Sequence, residues 1–360
     1  MEEKLKALLA SLAPPDGAAM DAARAYQARL AKPPGSLGRL EELAVQLAGI
    51  TGRIKNEVPN KQLLVFAADN GVVAEGVASA PQSVTRVQTV NLAHSAAGAA
   101  VLARRFGCAV TVCDVGVNAD LNDPAVLDRK IAYGTGNITV GPAMTRREAV
   151  TTILIGAELA RDSAADVLGV GEMGIGNTTT AAAVLAALLG EESERVTGRG
   201  GGLTDEAFAR KRAVIARALV VNRPDGKDPV DVLAKVGGFD IAAMCGAFLG
   251  AAAARKPAVI DGVISAVAAL CAVRLCPAAR GYLIPSHAST EPGFRLAMDA
   301  LDLRPLLLLD MRLGEGSGCP PAMALLDAAC AVMNGMATFE QAGIDDGYLD
   351  PIREANTWES

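Results

Sequence analysis

The sequence predicts an α/β protein with a mostly parallel sheet of about six strands, flanked by helices on both faces. Three observations predict it. Short apolar runs of strand length alternate with longer segments of helical character along most of the chain. Several of these runs end on an acid or a glycine, at Asp69, Asp114, Gly171, Asp261 and Gly314, as strands do where they turn into loops. The composition is 51% apolar but only 3% aromatic, with 37 glycines, so small residues are available for close helix–sheet packing.

The chain opens with helices. Glu2–Leu12 is stopped by Pro14 and Pro15, Met20–Leu30 follows, and Lys32–Leu40 is a rigid turn that overlaps a helix over Leu37–Ile50. Leu40, Leu43, Leu47 and Ile50 give that helix its apolar stripe. The first strand is Leu63–Ala67, ending in Ala68-Asp69-Asn70-Gly71. Glu75–Thr85 lacks periodicity and reads as a loop, leading to a long helix over Val84–Arg105. Ala109–Val115 is the second strand, and 116–141 is an irregular excursion. Thr145 with Glu148 forms a capping box for a helix that runs to Asp162.

Val167–Gly171 is the third strand, before a glycine-rich turn and an alanine-rich helix, Ala181–Leu189. A second glycine cluster, Gly198–Gly202, precedes a helix over Asp205–Val221. Pro224 and Pro229 bracket a loop, Val232–Val236 is a short helix, and Ile241–Ala254 is a helix of small residues. Pro257–Gly262 holds the fourth strand and Val263–Leu275 a helix. Tyr282–Pro285 is the fifth strand and Phe294–Leu301 a helix. Leu306–Leu309, four leucines in a row, reads as a sixth strand buried on both faces. It runs into the glycine turn that carries Glu315, and helices over Met323–Met333 and Phe339–Ala342 close the chain before a polar tail. The expected domain plan is a helical segment over 1–60, a catalytic α/β domain over 61–320 and C-terminal helices over 321–360 that join the first segment.

Several function classes lose support. The net charge is −6 with signs interspersed, and no basic, aromatic-laced patch suggests nucleic acid. No apolar run reaches the ~18–20 residues of a membrane span. The opening MEEKLKALLASL is amphipathic rather than signal-like, so a cytoplasmic chain is expected. Seven cysteines without a CxxC pair point to buried free thiols. With only two histidines, His94 and His287, no zinc site is expected, and no GxSxG elbow supports a serine triad. His94 falls inside the long helix and reads as structural.

The chemistry-bearing residues cluster at strand ends. Three glycine-rich loops could turn backbone N–H groups toward an anion, with helix N-termini behind them. Each could equally be a tight turn. Acids recur at Asp69, Asp114, Glu172, Asp261 and Glu315. N–H cradles with acids suit a phosphate-plus-ribose ligand. Lys211 and Arg212 could supply charge, although their helix position equally describes a solvated face. Glu315 between two glycines is either a solvated turn residue or a catalyst. Gly169–Gly174 matches GxGxxG, which gives an NAD-dependent oxidoreductase as the alternative reading. No acid follows it at the tip of a second strand.

The motifs in order resemble the nicotinate-nucleotide–dimethylbenzimidazole phosphoribosyltransferases. They stand at Lys32–Glu41, Ala68–Val72, Gly169–Thr179, Lys235–Asp240, Asp261-Gly262, Ile284–His287 and Met311–Gly318, and the match spans about 20 to 335. The resemblance implies a Rossmann-like large domain with a smaller helical one, a homodimer, and no cofactor or metal. It implies transfer of the phosphoribosyl group of nicotinate mononucleotide to 5,6-dimethylbenzimidazole or a related base, with inversion at C1′. Glu315 matches the family's general base, and Glu172 is the matching candidate to stabilise a cation-like sugar. Gly174, Gly176, Asn177, Thr178, Gly202, Lys211, Ser286 and Ser289 would hold the nucleotide, with Asp261 near the ribose. Ala80, Gln88, Met173 and Leu313 would line the base pocket. Ala80 and Met173 stand where some relatives carry Ser and Leu, which leaves the preferred base open among dimethylbenzimidazole, benzimidazole, adenine and a phenol.

Overall fold

A computed structural model describes residues 1–355. Six parallel strands form one sheet: β1 Lys61–Ala68, β2 Cys108–Gly116, β3 Val126–Asp128, β4 Val167–Met173, β5 Ala258–Ile260 and β6 Leu283–Pro285. Their spatial order is β3-β2-β1-β4-β5-β6. This doubly wound order reverses between β1 and β4, the switch point where such sheets open a crevice at their carboxyl ends.

Period-2 burial places β1 between two cores. Leu64, Phe66 and Ala68 face one, while Leu63, Val65 and Ala67 face the other. The helices that build these layers are α1 Glu2–Ser11, α2 Gly17–Gln27, α3 Arg39–Thr51, α4 Ser83–Ala93, α5 Gly98–Arg105, α6 Arg146–Asp162, α7 Asn177–Leu189, α8 Ser193–Val196 and α9 Asp205–Asn222. They continue as α10 Pro229–Val236, α11 Phe239–Ala253, α12 Val263–Leu275, α13 Pro292–Leu301, α14 Cys319–Gly335, α15 Phe339–Ala342 and α16 Asp350–Ala355. Residues of α6, α7, α11 and α12 fill the first core, and residues of α3, α5 and α14 fill the second. α6 and α11 pack backbone to backbone. A Cβ on Gly156 would lie 1.8 Å from the Ala243 carbonyl oxygen, and one on Gly246 would lie 1.8 Å from that of Ile153. The two ends of the chain meet, since Leu30 pairs with Thr338 in an antiparallel bridge and Asn334 Nδ2 donates to the Asn56 carbonyl. No helix among the described residues is long and apolar enough to cross a membrane.

Three expectations need correction. The leucine run is not a strand. Only Leu307 pairs, with His287 in a single parallel bridge, and Leu308 and Leu309 are 84% and 55% exposed. An uninterrupted apolar run looks the same whether it is enclosed by a sheet or exposed at its edge. The sixth strand is β3 instead, inside the stretch read as irregular; at three residues it is too short to show a pattern. The long helix over 84–105 is two, α4 and α5. No Gly or Pro precedes the break, and Ser95 itself turns left-handed at φ 60°. His94 therefore caps α4 rather than lying within it, and its exposed ring meets Asp123 Oδ2 at 2.8 Å. Smaller shifts follow local chemistry. α10 begins on Pro229, whose missing N–H costs nothing at the first helical position, and α7 begins at Asn177.

Candidate active site

A cleft of about 460 Å³ opens beyond the carboxyl end of β4, beside those of β5 and β6. One wall is the loop that leads into α14, where Gly314, Glu315 and Gly316 are all left-handed, with φ of 82°, 62° and 83°. Glycine accepts this region freely, but Glu315 does not, so neighbours must hold it there. Glu172 Oε1 accepts the Glu315 N–H at 3.2 Å. Asp261 Oδ2 accepts the Gly316 N–H at 3.0 Å, and its Oδ1 accepts the Gly318 N–H at 2.7 Å. Gly171 on β4 lets the loop lie against the strand, because a Cβ there would sit 2.6 Å from the Gly316 nitrogen. A Cβ on Gly169 would likewise meet Cys319 at 2.6 Å. The space beside these two glycines of the GxGxxG pattern is filled by protein, which removes the structural basis for the oxidoreductase alternative.

The Glu315 side chain is buried at the cleft wall. Its Oε1 accepts Gln88 Nε2 at 2.7 Å, while Oε2 is buried with no protein partner. One oxygen is thus fixed and the other is open to a ligand's hydrogen-bond donor.

Glu172, the penultimate residue of β4, is 7% exposed. Asn177 Nδ2 donates to Glu172 Oε2 at 2.5 Å and to Asp240 Oδ2 at 2.9 Å. Burial, with the Asp240 charge behind it, pushes the Glu172 carboxyl up to about 8. Burial also raises Asp240, to about 6. Gly174 is enclosed here, since a Cβ would fall 2.3 Å from the Ala68 carbonyl oxygen and 2.9 Å from Asp240 Oδ2. Asp240 ends the Lys235–Asp240 motif, where no residue pattern suggests a role for it. Its place beside Asn177 shows only when α7 and α11 come together.

The other end of the cleft gathers a buried lysine, a glycine-rich loop and the N-terminus of α7. Lys211 is fully buried rather than solvated, and Nζ donates to Thr178 Oγ1 at 2.9 Å and to the Gly198 carbonyl at 3.1 Å. Burial lowers its pKa to about 8, partly opposed by Glu291. Gly176, with φ 94°, caps α7 and brings Asn177 and Thr178 to the helix's positive end. In the Gly198–Gly202 loop, the Gly200 N–H donates to Glu291 Oε1 at 3.0 Å. Gly202, with φ 101°, turns that loop toward α9. Arg212 instead lies over the Phe208 ring at 4.1 Å.

Of the residues singled out in the sequence, Gly174, Gly176, Asn177, Thr178, Asp261 and Ser289 line the cleft with Glu172 and Glu315. Ala80, Gln88, Met173 and Leu313 line it as well. Lys211 reaches the wall through Thr178, and Ser286 bonds to His287 Nδ1 at 3.0 Å. His287 is buried and borders the cleft, whereas His94 does not. Arg199 and Glu291 also line the cleft and are not among the residues the sequence singles out. Arg199 sits inside the second glycine cluster, which is a signal for it; Glu291 precedes Pro292 in a segment without pattern.

A doubly wound sheet that gathers a buried lysine, a glycine-rich loop and an unpaired carboxylate in one crevice at its switch point has the layout of a nucleotide-binding enzyme. Comparison with known proteins narrows the class. The phosphoribosyltransferase family model matches residues 12–344. The nicotinate-nucleotide–dimethylbenzimidazole phosphoribosyltransferase of Ruminiclostridium cellulolyticum is 51% identical over 319 residues, covering 88% of this chain and 91% of that one. The enzyme of the same name from Chloroflexus aggregans is 50% identical over 339 residues, covering 93% and 96%. The crystal structure of CobT from Thermus thermophilus is 46% identical, covers 92% of this chain and 100% of its own, and superposes with a TM-score of 0.88. The chain belongs to the nicotinate-nucleotide–dimethylbenzimidazole phosphoribosyltransferase family.

Proposed function

We propose that this enzyme transfers the phosphoribosyl group of nicotinate mononucleotide to 5,6-dimethylbenzimidazole or a related aromatic base, releasing nicotinate and an α-ribazole 5′-phosphate. The product is the nucleotide unit of a cobamide lower ligand. The observation that carries this reading is Glu315, tied through Oε1 to Gln88 and unpaired at Oε2, in the same cleft as the Lys211–Gly200 anion cradle.

The chemistry balances with one base. The C1′–N bond breaks with its electrons passing to the pyridinium nitrogen, so nicotinate leaves without needing a proton. One benzimidazole nitrogen forms the new bond on the opposite face of C1′. The proton on its other nitrogen passes to Glu315 Oε2. Such a base contributes about 10²–10⁴-fold. Glu172, once ionised, stabilises positive charge building on the sugar. Asn177, Thr178 and Lys211, with the glycines at 174, 176 and 202 and Ser286 and Ser289, hold or shape the nucleotide's place. Ala80, Gln88, Met173 and Leu313 receive the base. Holding base and C1′ in line supplies much of the remaining rate.

We also read the enzyme as a cytoplasmic homodimer in which the N- and C-terminal helices make a small helical part beside the α/β domain over 61–320. The bridge between Leu30 and Thr338 supports that grouping, and the exposed Leu308 and Leu309 support a protein partner. Incubation with nicotinate mononucleotide and several bases, following nicotinate release, tests the reaction. Release with none of them overturns it, and full activity in Glu315→Gln overturns the base.

A further inference from the structure

We propose that Asp261 is the positioning residue of the catalytic loop, acting through Glu315 rather than on the ribose. The inference rests on Glu315 as the proton acceptor. Asp261 follows β5 and is 2% exposed. Both of its oxygens are taken by the loop: Oδ2 by the Gly316 N–H at 3.0 Å and Oδ1 by the Gly318 N–H at 2.7 Å. Those amides flank Ser317, and the first of them directly follows Glu315. A buried carboxylate bound by two N–H groups makes strong, directional bonds.

Such bonds are needed here. Glu315 occupies a left-handed backbone, at φ 62°, between two left-handed glycines. A free loop would relax from that geometry. Glu172 grips the loop at the Glu315 N–H, and Asp261 grips it at the next two available donors. The Asp261 side is closed from behind as well. His287 Nδ1 lies 3.9 Å from Asp261 Oδ1, and a Cβ on Gly318 would sit 2.1 Å from that nitrogen. The loop therefore has no space to shift toward β6. A displacement of about 1 Å at a reacting group can cost about 10²-fold.

Asp261→Asn turns an N–H donor toward one of the two glycine amides and loses that bond. The expected result is a fall in kcat of about 10²-fold, with KM for nicotinate mononucleotide changed less than about threefold. The deciding measurement is a double-mutant cycle. Asp261→Asn combined with Glu315→Gln should match Glu315→Gln alone within about twofold, because a misplaced base and an absent one are the same defect. Multiplying losses, or a rise in KM of about tenfold or more, would show that Asp261 acts on the substrate and overturn the proposal. If Asp261→Asn does not fold, Asp261→Glu, which keeps the charge but displaces it, enters the same cycle with the same criteria. Wild-type activity from Glu315→Gln alone would instead indict the assigned base, so the two failures are distinguishable.

Discussion

Gln88 on α4 donates its Nε2 hydrogen to Glu315 Oε1 at 2.7 Å, across 227 residues of sequence. The bond fixes the carboxylate's rotation and leaves Oε2 without a protein partner. Both residues line the same cleft. Gln88→Leu keeps the bulk and removes the bond. A hydrogen bond to a charged group is worth about 1.5–3 kcal/mol. Part of that stabilises only the aligned carboxylate, so kcat should fall about 10-fold. Affinity for nicotinate mononucleotide, measured by equilibrium binding, should hold. A change in nucleotide affinity with constant kcat would place Gln88 in the wrong half of the site.

Glu172 gives a prediction with a definite sign. Burial holds its carboxyl at about 8 in the fold, against 4.5 for the free group. Between those values the unfolded chain binds fewer protons than the native protein. Stability from this group is therefore complete below 4.5 and is lost as pH rises through about 8. Glu172→Gln does not titrate, so its Tm should gain on the wild type across that window, and the difference should level off above it. Catalysis runs the other way. In the proposed reaction the ionised form stabilises a cationic sugar, so wild-type kcat/KM should climb toward pH 8 and the variant should lose that limb. A variant with an unchanged pH–rate profile would remove Glu172 from the chemistry.

The sequence shows the sheet well where strands are long and buried. β1, β2 and β4 lie within two residues of their expected limits, and the capping box at Thr145 stands as read. It fails where pattern and burial separate. Leu306–Leu309 has the composition of an inner strand but stands at the sheet edge, because no local feature records what lies beyond β6. The site is legible as residue types but not as contacts. Gly171 reads as a phosphate-loop glycine, yet its role is to admit the backbone of Glu315 and Gly316, far along the chain. Lys211 reads as solvated because helix spacing says nothing of the loop that covers it.

Glu291 and Lys211 predict how the anion end works. Glu291 Oε1 takes the Gly200 N–H, the kind of donor a phosphate oxygen would need. In the proposed reaction a phosphate at this loop would compete with that carboxylate and have Lys211 behind Thr178 as a counter-charge. Glu291→Gln keeps a hydrogen-bond acceptor but removes the repulsion. Its KM for nicotinate mononucleotide should fall by about 3- to 10-fold, on the order of one exposed-to-buried charge contact. Lys211→Met should raise that KM by about 10²-fold, as loss of a buried cation opposite a dianion does. Steady-state kinetics at fixed base concentration measure both. A rise in KM for Glu291→Gln would make Glu291 a ligand of the nucleotide and not its competitor.

The exposed leucines offer a test of the proposed homodimer. Leu308 and Leu309 are 84% and 55% exposed, and Leu313, which lines the cleft, is 57% exposed. A contiguous exposed apolar patch marks an interaction surface. A second copy of the chain is the occupant that a twofold axis would supply, and in such an interface each residue is buried twice. Burying one leucine is worth about 1.5–3 kcal/mol. Replacing Leu308 and Leu309 by serine on both copies should therefore weaken association by at least about 10⁴-fold, enough to convert the dimer to monomer at micromolar concentration. Sedimentation equilibrium reads the mass directly. Because Leu313 lies four residues beyond Leu309 in the chain and lines the cleft, the monomer should also lose affinity for the aromatic base more than for the nucleotide. A variant that remains dimeric with unchanged base affinity would move the interface elsewhere on the surface.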